Sequence, residues 1–458
     1  MDYLKVKVAY PKLTLYAFHL HHNLAQSHKK SLENADNLWR KCQEIGKNLG
    51  IPKLENLPID NKGKISDEDI ITFTAIKHEN NLHLSGEVNR LQIHDTYALD
   101  LTFRYKHPEV EIANLQGLNQ DNYLLPNNID ASLGQTLVFF AQPVGIINNY
   151  YRYADTCVKA LISGDKFKQL ELSCQEHGKL LNSPIFEYNN NAVNPKEQCH
   201  ILIWLSTNSE TTDLEEAGEY YYPLIDILNC RSKIIYANSE ARWCYQEARK
   251  CYSKLEDKVN QFNRVKNQPV ADKLKELEQW LDEIPKTSFN YARYLRDLEL
   301  HKTTIKTNLK NYKLYLGKIK KIWLEDDLEF LSNFVELVED TFIEQINIDL
   351  AYLTSGQNLF EQLIESIRGT VEIEQTRRDR SLEKTVQIVG IGLGGGAIAS
   401  GIITQHIDKP IAPTINFKYP VHPIASSLFW SVLATGVCLL LGWWLTVWRE
   451  NRASSSKK

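Results

Sequence analysis

Three histidines near the start of the chain carry the side chains best suited to bind a metal ion. The segment AFHLHHNL contains His19, His21 and His22, and imidazole is a good ligand for zinc, copper or nickel. On a β-strand, His19 and His21 would point to the same face. No cysteine or carboxylate follows at the spacing of a metal site. The sequence therefore predicts neither a metal site nor a bound cofactor.

A cysteine and a histidine stand side by side at Cys199 and His200, where a nucleophile and a base could meet. They open the apolar run CHILIWLS, which predicts a strand, and neighbouring side chains on a strand point to opposite faces. The chain has no P-loop, no serine–histidine–aspartate elbow and no paired-carboxylate motif. We therefore predict a protein that is not an enzyme, and keep an enzyme in the N-terminal domain as a further alternative.

The charge-free segment 385–405 places small or polar residues at every third or fourth position. Such a stripe can let two helices approach closely in lipid, or it can line a pore. The sequence leaves both interpretations open. The stripe consists of Gln387, Gly390, Gly394, Ala397, Gly401 and Thr404.

Two apolar segments, 385–405 and 424–448, predict transmembrane helices. At about 1.5 Å per residue the first would measure about 31 Å, close to the thickness of the bilayer hydrocarbon. Tryptophans lie toward the ends of the second, as interfacial anchors do. These anchors are Trp430, Trp443, Trp444 and Trp448.

Basic residues flank this pair of segments, which predicts that both termini face the cytoplasm of a multi-pass inner (plasma) membrane protein. The loop 406–423 would be external, and the tail 449–458 would be cytoplasmic and basic. The eight cysteines form no CxxC pair, as expected for reduced thiols. A formal net charge of -4 argues against nucleic acid as the main partner.

Residues 237–384 are predicted to form a helical stalk. No proline occurs between Pro285 and Pro410, and apolar residues recur at three-four spacing, which is typical of amphipathic or coiled-coil helices. This pattern fits either an antiparallel bundle within one chain or an intermolecular coiled coil. One such seam comprises Ala241, Tyr245, Ala248, Tyr252, Leu255, Val259 and Phe262.

Residues 1–236 are predicted to form a mixed α/β (α+β) cytoplasmic domain. Alternating polar and apolar runs between Ile70 and Tyr105 predict an antiparallel sheet. Farther on, CHILIWLS is followed by a helix with a capping box from Thr212 to Glu215 and then by the apolar run 232–238. This order predicts a strand–helix–strand crossover.

This layout resembles the CorA-type divalent-cation channels. That family has a cytoplasmic α/β domain, a long helical stalk and two C-terminal spans, and the resemblance implies an oligomer whose first span lines a pore. The family's Gly-Met-Asn motif is absent, since Met1 is the only methionine in the chain. The resemblance therefore covers the architecture and carries over no selectivity residues.

Taken together, these features predict a non-enzymatic membrane protein that forms a homo-oligomer in the lipid bilayer. Its cytoplasmic domain would sense or dock an unidentified protein or small molecule, and the stalk would transmit that state to the spans. No nucleic-acid partner is expected. The main alternative is a divergent CorA-like cation channel or transporter.

Overall fold

The computed structural model describes residues 6–21, 34–59, 70–77 and 83–375. The strands of these residues are β1 (Lys7–Leu20), β2 (Ile71–Lys77), β3 (His83–Ile93), β4 (Thr96–Tyr105), β5 (Glu109–Glu111), β6 (Gly134–Pro143), β7 (Ser173–Leu180), β8 (Ser183–Asn189) and β9 (Cys199–Leu205). The helices are α1 (Asn37–Asn48), α2 (Pro52–Glu55), α3 (Pro126–Ile129), α4 (Tyr150–Leu161), α5 (Gly164–Gln169), α6 (Ser209–Ala217), α7 (Tyr221–Lys266), α8 (Val270–Ile322), α9 (Glu329–Leu337) and α10 (Glu344–Gln375). A π-helical turn, Val338–Ile343, lies between α9 and α10.

Within the described residues, all nine strands belong to one sheet in the order β2-β3-β4-β1-β6-β9-β8-β7, with β5 paired to β1. The pairing of β6 with β9 is parallel, and the other pairings are antiparallel. The polar turn at His94 and Asp95 joins β3 to β4. The predicted antiparallel sheet between Ile70 and Tyr105 and the predicted strand at CHILIWLS are thereby confirmed.

Strand β1 is central because it pairs with β4 on one side and with β6 on the other. Leu15 lies opposite Leu101 and Leu137, and all three side chains are buried in one apolar cluster. Trp39 from α1 and Tyr153 from α4 belong to the same cluster. The apolar positions of the strands, which recur with a period of two, therefore form the core beneath these helices.

A half-buried carboxylate joins the α8–α9 connection to the β7–β8 hairpin. The hairpin turn places Leu181 and Asn182 at φ values of 48° and 62°. Asp326 accepts hydrogen bonds from both of their backbone N–H groups, at 2.7 and 2.8 Å. Gly178 lies so close that an added Cβ would stand 2.2 Å from the Asp327 carbonyl oxygen. Only glycine fits this approach without displacing the connection.

The chain divides into two compact units. Among the described residues, the first contains the chain up to Trp243 together with Leu298–Ile348, and the second contains Cys244–Asp297 and the residues from Asp349 onward. The predicted boundary between residues 236 and 237 lies inside α7.

The second unit has a core of aromatic side chains. The Tyr291 hydroxyl donates a hydrogen bond to the Leu353 carbonyl, and the Tyr291 ring lies 5.1 Å from that of Phe360. A Cβ on Gly356 would come within 2.6 Å of Tyr252 and Tyr291. A glycine at this position therefore lets the two tyrosines pack directly against the helix backbone.

The predicted strand at residues 232–238 is wrong, because these residues lie inside α7. The short run SKIIYAN fits a buried strand as well as a helix segment. Its helical neighbours and the burial of Ile234 and Ala237 show that it packs as part of a helix. The three-four seam that follows is helical as predicted, with Ala241, Ala248 and Leu255 buried.

The structure does not support the two predicted C-terminal transmembrane helices, which corrects the predicted fold class and the predicted inner-membrane localisation. Within the described residues, no helix is long and apolar enough to cross a membrane. Charged residues recur along α7, α8 and α10, and hydrocarbon disfavours charge. Segments 385–405 and 424–448 lie outside the described residues, as do the loop 406–423 and the tail 449–458. The membrane assignments are withdrawn.

Replacing Asp326 with Ala is expected to lower the free energy of unfolding by about 1 to 2 kcal/mol, because two N–H groups of the hairpin turn lose their acceptor. Urea unfolding of the purified chain measures this change. Glu325→Ala removes a neighbouring exposed carboxylate and serves as the control. Equal losses in the two variants would contradict the role assigned to Asp326.

Candidate functional site

The two faces of the sheet differ in polarity. Leu13, Leu15 and Ala17 of β1 point into the apolar cluster on one face. On the other face, the alternate positions of the same and neighbouring strands carry buried polar side chains among apolar ones such as Phe18, Phe140 and Trp204. These buried polar residues include Thr14, Tyr16, Asn89, Asp100, Thr102, Thr136 and His200.

The first half of α7 contacts this polar side of the sheet through the polar side chains of Tyr221, Arg231 and Lys233. The Tyr221 hydroxyl donates to Asp100 Oδ2 at 2.6 Å. Arg231 pairs with Glu187 at 3.2 Å, and Lys233 pairs with Asp95. These are the α7 contacts, and at about 1.5 Å per residue they extend over about 18 Å of the helix.

The central α7 contact is a largely buried cluster around Glu187. His200 Nε2 lies 2.9 Å from Glu187 Oε1, and His200 Nδ1 lies 2.8 Å from Thr136 Oγ1. Arg231 also reaches Gln198 Oε1 at 3.3 Å, and its guanidinium lies 5.1 Å from the ring centre of Phe334. Since Glu187 accepts from both His200 and Arg231, one carboxylate connects β9 and α7 to β8.

Charge in this cluster resides on Glu187 and Arg231. Burial opposes ionisation of Glu187, but the hydrogen bond from His200 and the charge of Arg231 outweigh it and lower the pKa of Glu187 to about 2. Burial and the nearby Arg231 cation lower the pKa of His200 from its usual 6.5. A neutral His200 that donates from Nε2 to Glu187 and accepts at Nδ1 from Thr136 satisfies every partner.

A histidine paired with a carboxylate is also the arrangement of a general base. Here both ring nitrogens of His200 already have partners inside the protein, and its side chain is 3 % exposed. A substrate could reach neither nitrogen without displacing Thr136 or Glu187. The geometry therefore suits a structural contact between elements better than proton transfer to a substrate.

Asp100 is the second carboxylate beneath α7, and it is buried. Its Oδ1 accepts a 3.3 Å hydrogen bond from the Thr102 hydroxyl, in addition to the bond from Tyr221. Burial raises the pKa of Asp100 to about 6, although these hydrogen bonds favour the charged form. The ionisable groups around it are Lys12, Tyr16, Glu87, Tyr220 and Tyr221. Asp100 is thus a buried acid that changes charge near pH 6.

The histidines predicted from the sequence as metal-ligand candidates do not converge. His19 is buried, and its Nδ1 accepts from the Ser132 backbone N–H at 3.1 Å. His21 stacks on Tyr97 with ring centres 4.2 Å apart, and His22 lies outside the described residues. Within the described part of the chain, no group of three His, Cys, Asp or Glu side chains could hold a metal ion.

Cys199 and His200 point to opposite faces of β9, as their strand position predicted. Cys199 belongs to the apolar cluster, and His200 bonds to Thr136 and Glu187. The remaining predicted site residues lie outside the described residues. These are the stripe Gln387, Gly390, Gly394, Ala397, Gly401 and Thr404 and the anchors Trp430, Trp443, Trp444 and Trp448.

Sequence reasoning missed Asp100, Glu187 and Arg231. A signal was present for Asp100, since it interrupts the apolar residues of YALDLTF in a predicted strand. Glu187 lies likewise among the apolar residues of PIFEYN. A charged residue at a buried position requires a partner, but the identity of that partner cannot be deduced from the strand alone.

Comparison of the chain with family models, curated proteins and solved structures finds no match. The resemblance to CorA-type channels and the predicted homo-oligomer remain predictions. The channel alternative depended on the two spans and is not carried further.

Replacing Asp100 with Asn is expected to remove a pH-dependent loss of stability. The folded state holds the Asp100 proton to a higher pH than the unfolded chain does, so the wild type becomes less stable relative to the variant as the pH rises from about 4 to about 6. The difference should reach about 3 kcal/mol, since one pKa unit corresponds to about 1.4 kcal/mol.

Urea unfolding of both proteins across this pH range measures the difference in their free energies of unfolding. The contributions of titratable groups that both proteins share cancel in this difference. Glu210→Gln, at an exposed carboxylate of α6, is the control. Parallel stability curves for the wild type and Asp100→Asn would contradict the titration assigned to Asp100.

Replacing Arg231 with Met is expected to lower the free energy of unfolding by about 3 to 5 kcal/mol, because it leaves the enclosed Glu187 charge without its cation. Adding Glu187→Gln removes that charge while the Gln oxygen can still accept from His200. The double variant should therefore be more stable than Arg231→Met alone. Thermal or urea unfolding that ranks the double variant below the single one would refute this assignment.

Proposed function

We propose that the chain is a non-enzymatic sensing and docking protein in which residues 221–243 of α7 form the responsive element. The observation that carries this proposal is the contrast between the two faces of the sheet. Apolar side chains fill one face, whereas the face beneath α7 combines apolar side chains such as Phe18, Phe140 and Trp204 with two carboxylates, a histidine and several hydroxyl groups that pair with the helix or with one another.

The energetics of these pairs support a helix that can detach. Burying an ion pair costs desolvation free energy that the pair's attraction only partly offsets. On opening, water can solvate Glu187, Arg231 and Asp100, which offsets part of the cost of exposing the apolar side chains that α7 buries, such as Leu224 and Ile234. Segment 221–243 should therefore leave the sheet at a lower free energy than global unfolding requires.

Detachment of α7 would uncover aromatic surface on the sheet. Tyr16 lies 6.5 Å from Tyr221 between ring centres, and Trp204 lies 5.2 Å from Tyr220 and 4.9 Å from Phe140. Aromatic residues contribute strongly to protein and small-molecule binding. A partner that binds this uncovered surface would stabilise the detached state, and protonation of Asp100 would favour the attached one.

The alternative of an enzyme finds less support in the site. The histidine–carboxylate pair beneath α7, His200 with Glu187, is enclosed and fully paired. A docking role uses the same residues without requiring substrate access. We therefore assign His200 and Glu187 to the attachment of α7 to the sheet.

Native-state amide hydrogen exchange tests this proposal. Residues 222–243 are expected to exchange through an opening at least about 2 kcal/mol below the global free energy of unfolding, whereas the central residues of β1 exchange only on global unfolding. Asp100→Asn should raise the opening free energy of α7 at neutral pH, and Glu210→Gln should leave it unchanged. Identical free energies and denaturant dependence for α7 and β1 would contradict the proposal.

A further inference from the structure

Helix α8 carries a concentrated positive charge. Seven lysines lie between His301 and Leu324, and this stretch contains neither Asp nor Glu. The lysines are Lys302, Lys306, Lys310, Lys313, Lys318, Lys320 and Lys321. The whole stretch belongs to the first compact unit.

Helical geometry places most of these charges on one side. At about 100° per residue, all of the lysines except Lys318 fall within an arc of about 100°. We call this set the lysine face: Lys302, Lys306, Lys310, Lys313, Lys320 and Lys321. An adjacent stripe of α8 is buried, as Leu298, Ile305, Leu309, Tyr312, Leu316 and Ile319 show. The lysine face thus borders the buried seam, and its lysines are exposed except Lys302, which is partly buried and pairs with Glu299.

Several charges of the lysine face are available to a partner. Lys306, Lys310 and Lys321 are exposed, and within the described residues no ion pair involves them. Lys313 pairs with Glu339 at 2.7 Å, with both side chains about half exposed. An exposed pair of this kind is weak, so a stronger acidic partner could replace Glu339.

A groove of about 510 Å³ lies along the lysine face. Lysine side chains and Glu339 form its rim, and the partly exposed Ile343 supplies apolar surface within it, above the buried Leu309. Glu339 and Ile343 belong to the π-helical turn Val338–Ile343. Such turns are rare and occur frequently at functional sites. The groove is therefore lined both by charged lysine side chains and by residues of a locally irregular helix.

Gly317 lies in the middle of the lysine face, where an added Cβ would meet nothing within 4 Å. Glycine inside a helix costs about 1 kcal/mol relative to alanine. Among the described residues of the first unit, no atom lies close enough to exclude a side chain at position 317, so packing does not explain the glycine. Its absence leaves the backbone open to a partner that crosses the lysine face.

We propose that the lysine face docks an acidic amphipathic helix of a protein partner. Lys306 and Lys310 are one helical turn apart, about 6 Å along the axis, which matches carboxylates at i and i+4 on a helix lying alongside. An apolar side chain between those carboxylates would fill the space beside Leu309 and Ile343. This inference rests on the docking role proposed above and names the class of partner.

The groove favours a protein over other polyanions. Nucleic-acid backbones offer no apolar group for Leu309 and Ile343, and single strands are usually held by aromatic stacking as well as by charge. A lipid surface is flat on this scale and cannot enter a groove. Lysine, a point charge on a flexible stem, pairs with carboxylates as well as with phosphates, so the apolar part of the groove is what favours a protein.

Fluorescence anisotropy with a labelled helical peptide tests the inference on the full chain. The peptide carries Glu residues at i and i+4 around one Leu, and a matched peptide carries Gln in place of Glu. Binding of the Glu peptide, weakened by salt, and no binding of the Gln peptide are expected. A labelled RNA strand and phosphatidylserine vesicles are the competing probes.

Four variants locate the binding surface. Lys310→Glu is expected to weaken peptide binding about tenfold, whereas Lys318→Glu, the same charge change on another side of α8, should have little effect. Gly317→Leu keeps every charge but should also weaken binding, because it obstructs the lysine face. Glu339→Gln should strengthen binding about threefold, since it removes the competing carboxylate. Circular dichroism melts establish that each variant is folded.

Preference for RNA or vesicles, binding of no probe, or equal effects of Lys310→Glu and Lys318→Glu would each overturn the inference. The result of the peptide-binding experiment can be distinguished from the result of hydrogen exchange at α7. If α7 opens as proposed but the peptide fails to bind, only the lysine-face inference falls. If the peptide binds but α7 opens only on global unfolding, the proposed function of α7 falls and the docking surface remains.

Discussion

The enclosed pair of Glu187 and Arg231 is the interaction on which the arrangement of the first unit depends. The hydrogen bond from His200 and the guanidinium of Arg231 keep Glu187 ionised, and an ionised Glu187 in turn determines which nitrogen of His200 carries the proton. Three elements, β8, β9 and α7, meet at this carboxylate. Removing any partner leaves an enclosed charge or donor unsatisfied, which constrains α7 to one position on the sheet.

The first unit combines two kinds of electrostatic surface. The α7 contacts are largely buried, so salt screens them weakly and protonation affects them strongly, with Asp100 as the titrating member. The lysine face is largely exposed, so salt screens it strongly. The proposed sensing and docking roles thus respond to different solution conditions, which allows them to be measured independently.

Local sequence patterns predicted many elements correctly because local geometry produces them. The alternation of polar and apolar residues predicted β3 and β4, and the continuous apolar run CHILIWLS predicted β9. Three-four spacing marked α7 and α8 over many turns. The same reasoning failed at residues 232–238, since a short apolar run carries no period and only packing against the sheet decides its conformation. Apolar composition alone likewise led to the membrane assignments that the structure does not support.

The sequence by itself determined the periodicity of strands and helices, the lack of Asp and Glu between His301 and Leu324, and the presence of charged residues inside apolar runs. Only the tertiary structure decided which charges meet. Tyr221 lies 121 residues from Asp100, and Arg231 lies 44 residues from Glu187. Such pairs form after strand order and the path of α7 bring distant segments together, and no local preference encodes that proximity. The lysine face, which repeats within one helix, could be read from its spacing, whereas the groove beside it required the position of the π-helical turn.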